Sequence, residues 1–150
     1  MDHDRETPRP AHLPPPSVAK ATVDALGKLS EALEVVEEAR GNLYRFHRLT
    51  GRADLALDEA VDLLREAGHG QIAETLRNEL VGRNVLEGRW TFQIVEEYDD
   101  GYYAEFKSLE QAIREQLAEG RRHLFEARMK EERRSHGRRH HEAVPPEDPL

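Results

Sequence analysis

Leu26, Leu29, Leu33, Val36, Arg40, Leu43 and His47 recur at alternating steps of three and four residues. A chain with that pattern over about six turns is committed to a long helix with one inward face. The face drifts slowly backwards around the helix, as the seam of a left-handed supercoil does. Ser17 is placed to cap it at the N-terminus, and "LTGR" at 49–52 reads as its end, with Gly51 in the usual stop position.

The rest of the chain continues in the same style. Asp54 caps a shorter helix with Leu57, Val61 and Leu64 inward and Gly68 as its stop. After the "GHG" corner, Ile72, Leu76, Leu80, Trp90, Ile94 and Tyr98 fall within roughly 80° of one another at 100° per residue. Trp90, Phe92 and Ile94 also alternate as a strand would, and Gly82 and Gly88 weaken a continuous helix. A self-comparison at a shift of 37 residues lays "GRADLALDEAVD" over "GRWTFQIVEEYD" and favours the helix for 88–100. Tyr102, Phe106, Leu109, Ile113, Leu117, Gly120 and Leu124 then form one stripe that runs toward Arg134.

The expected fold is all-α: an elongated bundle of about four helices, two of them long, with disordered tails. Residues 1–16, rich in proline, read as a disordered arm, 17–134 as one helical domain, and 135–150 as a His/Arg-rich and then acidic tail. Hydrophobic residues make up 37% of the chain and charged residues 35%, which suits amphipathic helices better than a β-sandwich.

Composition also removes several function classes. The chain has no cysteine, so disulfides, thiolate nucleophiles and cysteine zinc sites are excluded. No apolar run spans a bilayer and "MDHDRETPRPAHLPPPS" has no apolar signal core, so a cytoplasmic protein with no membrane role is expected. Of the net charge of −8, the whole excess falls within residues 18–127. Nucleic acid is therefore not expected as a partner, and is reachable only through the basic stretch 128–141, which has no interleaved aromatic side chains.

Phosphate-loop, dinucleotide, H-E-x-x-H and G-x-S-x-G signatures are all missing, which points away from an enzyme. The polar residues in apolar stripes are the remaining candidates. Arg40 and His47 sit in the seam of the first helix. A guanidinium there must find a carboxylate or water, because unpaired burial is costly. An interhelical ligand pocket with Arg40, His47, Trp90 and Tyr98 would satisfy it, and so would a structural ion pair, which is the expected arrangement. Glu119, His123 and Glu126 share one face of the expected last helix and are candidate metal ligands. No cofactor is indicated. Phe92, Val95 and Tyr103 fall off the apolar stripe and are candidate interface residues. With Val35, Phe46, Val81 and Val85 they leave more apolar surface than one bundle hides. The leading expectation is thus a non-enzymatic protein acting through self-association or a protein partner; the alternative is a carboxylate/histidine bundle that binds a metal or small ligand.

Overall fold

The computed structural model describes residues 3–145, and all of its regular elements are helical. Parts of the expected arm and tail, residues 1–2 and 146–150, lie outside the described residues. Two short 3-10 turns, His3–Glu6 and Pro10–His12, precede α1 (Lys20–Glu66) and α2 (Gly70–Glu79). Next come α3 (Thr91–Tyr98), a π-helical turn (Asp99–Tyr103), α4 (Ala104–Ala118) and α5 (Leu124–Arg133). Because α3, the π turn and α4 run on without a break, the described residues form four helical runs, two of them long. The chain is an all-α bundle. It divides into two compact units, Met1–Glu34 with Phe106–Leu150, and Val35–Glu105.

The first helix does not stop at Gly51. It continues to Glu66, so Asp54 is an interior residue and not a cap. The reason is visible in its register. Thr22, Leu26, Leu29, Leu33, Val36, Arg40, Leu43, His47, Thr50, Asp54, Leu57, Val61 and Leu64 follow alternating steps of four and three, and each is buried or half-buried. Thr50 and Asp54 carry the seam across the glycine, which lies on the outer side and is exposed. Gly in a helix interior costs about 1 kcal/mol relative to Ala, too little to break a seam packed on both sides of it. The outermost positions, Asp24, Glu31, Glu38, Arg45, Arg52, Glu59 and Glu66, stand seven apart and are all charged and exposed. The true stop is Gly68, whose φ of 89° closes the helix while His69 N–H donates to Leu64 O at 2.8 Å.

In the first unit, Val23 and Leu26 of α1 pack with Ala118 and Leu124, flanked by Val18 and Ile113. Gly27 is required there. A Cβ at that position would lie 2.6 Å from Cγ of Phe125. The final stripe is not one helix. Glu119 and Gly120 adopt positive φ of 53° and 75°, so α4 ends at Ala118 and α5 starts anew at Leu124. Gly120, which the sequence pattern placed in the stripe, is part of the stop. Arg114 holds this turn by donating to Gly120 O at 2.6 Å, while its Nε donates to the buried carboxylate of Glu110 at 3.1 Å.

The described parts of the arm and tail make specific contacts within this unit. Ala143 N–H donates to Arg5 O at 2.9 Å, and Arg121 donates to Leu13 O at 2.6 Å. Arg134, at the end of α5, is buried and grips Glu131 at 2.6 Å and Glu6 at 2.8 Å. Both carboxyls are held below their usual range by hydrogen bonds from that guanidinium.

In the second unit, Val61, Ala73, Thr91 and Val95 are the buried residues. Residues 91–98 are helical, but their phase differs from the sequence reading. The helix begins at Thr91, so Thr91 and Val95 turn inward one step round from Trp90, which is left 39% exposed. The 37-residue self-similarity does not describe two equivalent units, since its first copy lies inside α1 and its second spans a turn and the whole of α3.

Candidate functional site

Three polar residues of the α1 seam have partners on the returning segment, arranged as rungs one heptad apart. Arg40, His47 and Asp54 meet Asp99, Thr91 and Gly82 respectively. Arg40 donates through Nε to Asp99 Oδ1 at 2.7 Å and through Nη2 to Oδ2 at 3.0 Å, a bidentate pair. His47 Nδ1 lies 2.6 Å from Thr91 Oγ1, with the donor set by the imidazole tautomer. Gly82 N–H donates to Asp54 Oδ1 at 2.8 Å. The residues met run backwards along the chain, 99, 91 and 82, because the returning segment is antiparallel to α1.

The π turn shapes the first rung. Its wider winding adds a residue to the turn, which lets Asp99 face Arg40 while Tyr103 comes over the same guanidinium. Arg40 Cζ lies 4.7 Å from the Tyr103 ring centre and 5.0 Å from that of Tyr44. The Tyr103 hydroxyl donates to Glu37 at 2.6 Å, and that hydrogen bond pushes its pKa up. Asp99 is held below its usual range by the hydrogen bonds from Arg40, and Arg40 is pushed up chiefly by the same bonds. Tyr98 stacks on Tyr103 at 6.5 Å with the ring planes 15° apart.

The structure therefore brings Arg40 and Tyr98 together around Tyr103. His47 and Trp90 make bonds of their own, His47 with Thr91 and Trp90 through an indole N–H that donates to Arg83 O at 3.0 Å. The fork edge of Arg40 that would grip an anion is already engaged by Asp99. Chemically, the group is a cation sandwiched between rings and locked by a carboxylate. The sequence did not mark Glu37, Thr91, Asp99 or Gly82 as a partner of this group. The signal that could have found them is the seven-residue spacing of Arg40, His47 and Asp54, which calls for three polar partners on one returning segment.

The candidate metal ligands are not on one helical face. Glu119 and His123 fall in the turn between α4 and α5, both with positive φ. Glu119 accepts from Arg121 at 3.1 Å, and His123 Nδ1 stands 4.0 Å from Glu126 Oε2. Among the described residues no three histidine or carboxylate side chains are grouped to hold a metal ion. Nor do Phe92, Val95 and Tyr103 form one exposed patch. Val95 is buried, Tyr103 is half-buried, and Phe92 stands exposed with its ring edge-on to Trp90 at 6.5 Å. The first unit contains a cavity of about 380 Å³ under Leu13, Val18, Val23 and Leu124, and one of about 330 Å³ among Ser30, Glu34, Glu110 and His123.

No family model, no curated protein and no solved structure matches this chain. Among the described residues no helix is long and apolar enough to cross a membrane.

Proposed function

We propose that this chain acts by associating with a second copy of itself, as a helical interaction module and not as an enzyme. The observation that carries this reading is an apolar stripe on α1, outside the seam, whose large side chains stay exposed.

On α1, Val35, Ala39, Phe46, Leu49, Ala53, Ala56, Ala60 and Leu63 follow alternating steps of four or three, broken only by Asn42. This is a second stripe, separate from the seam. Phe46, Leu49 and Leu63 on it remain 43%, 48% and 57% exposed. A helix with two apolar stripes suits packing on both sides, and closed two-fold pairs are the commonest way for a chain to cover such a face with itself.

Sedimentation equilibrium over a hundredfold range of concentration tests the reading. A mass approaching twice 17.2 kDa is expected, with Leu49→Glu shifting the equilibrium toward monomer. A monomer at every concentration overturns it.

A further inference from the structure

The second stripe of α1 is flanked on one side by the charged row, and the order of signs along that row specifies how a second copy docks. We infer that two copies pair antiparallel along residues 45–66, about a two-fold axis between Asp54 and Leu55; this rests on the self-association proposed above.

In this register the apolar layers are Phe46 with Leu63 of the second copy, Leu49 with Ala60, and Ala53 with Ala56, each occurring twice by symmetry. Small residues meet at the centre and larger ones toward the ends, so the helices approach closely where the axis passes. The flanking charges then meet as Arg45 with Glu66 and Arg52 with Glu59, all four pairs attractive. None of these four side chains has an ion pair or hydrogen bond among the described residues, as is also true of Arg48 and Arg83, whereas Arg40, Arg65, Arg77 and Arg89 of the same unit are paired. Their partners are supplied by the second copy.

Other arrangements lose this match. A slide of one heptad toward the N-terminus keeps Arg45 with Glu59 but sets Arg52 against itself and Glu38 against Glu66. A second heptad sets Arg45 against Arg52 and Glu38 against Glu59. In a parallel pair the row would face Thr50, Leu57 and Leu64 of the second copy, which offer no charge. The helix therefore encodes both the direction and the register of its own pairing, in the way flanking charges do in coiled coils.

The chain has no cysteine, so single spin labels report cleanly. Gly41→Cys and Arg48→Cys lie one heptad apart on an outer face, and each would be labelled separately for pulsed electron paramagnetic resonance. With 1.5 Å rise per residue, the axial separation between the two labels of a dimer is about 40 Å at position 41 and about 20 Å at position 48. Sedimentation of unlabelled R45E/R52E and of R45E/R52E/E59R/E66R accompanies it. The double variant, with four like charges per copy, is expected to associate at least tenfold more weakly, and the quadruple variant to recover. Unequal distances near those values with that loss and recovery support the pairing. A dimer whose two distances agree, or whose association ignores the charge swaps, overturns the antiparallel register and leaves self-association standing. A monomer throughout overturns both.

Discussion

Gly51 and Gly68 both look like helix stops in the sequence, but only Gly68 is one, and replacing each with alanine should shift stability in opposite directions. Gly51 lies inside α1 on its exposed side, and a Cβ added there would meet nothing within 4 Å. Alanine at 51 gains the full helix-propensity difference, about 1 kcal/mol, without a clash. For a chain of this length that raises the melting temperature by about 3 °C. Gly68 has φ of 89°, where a Cβ costs about 1–2 kcal/mol. Gly68→Ala should therefore lower the melting temperature by about as much or somewhat more. The assay is urea and thermal unfolding followed by circular dichroism at 222 nm, at one fixed protein concentration, because association would otherwise add to the apparent stability. A loss of stability in Gly51→Ala comparable to that in Gly68→Ala would refute a continuous α1. It would mean that the chain turns at 51.

Three further outcomes follow from side-chain geometry. Gly27→Ala should destabilise by about 1–3 kcal/mol through overpacking against Phe125, and combining it with Phe125→Ala should remove the clash, which a double-mutant cycle in urea would read. Thr91→Val, similar in shape, should cost about 1–2 kcal/mol by leaving His47 Nδ1 without its partner, while Thr91→Ser should cost less, again by urea unfolding. The Arg134 cluster should be acid-labile. Glu6 and Glu131 titrate below their ordinary 4.5 when folded, so their contribution is complete above about pH 4.5 and lost as pH falls through the lowered values. Protection of the Ala143 and Val144 amides from hydrogen exchange, taken relative to the intrinsic rate at each pH, should fall below that pH, and Arg134→Met should abolish this pH dependence.

The all-α class was legible because apolar periodicity is a local signal, and α1 repeats it for many turns. Its true length was hidden by Gly51, whose stop chemistry outweighed the polar seam positions Thr50 and Asp54 in a reading that looked for apolar residues only. Gly120 misled in the other direction, since it falls in phase with a stripe and so passed as its member. The phase of α3 depended on Thr91 meeting His47, a contact between residues far apart in sequence. The same is true of Arg40 with Asp99 and of Arg134 with Glu6. Periodicity shows that Arg40 needs a partner but cannot say which of many carboxylates supplies it. The π turn has no signal in the sequence pattern, because its extra residue becomes evident only from the hydrogen bonds.

The rungs at Arg40, His47 and Asp54 have one more consequence. A purely leucine seam is degenerate: sliding α1 by seven residues against the returning segment buries nearly the same apolar area and sacrifices little. Three rungs of different chemistry remove that degeneracy. A slip that brings His47 to Asp99 strands the Arg40 guanidinium, and a slip the other way leaves Asp99 without its cation and Arg40 with only the Thr91 hydroxyl. The leucines set how strongly the second unit holds, and the rungs act as an address that admits only one alignment.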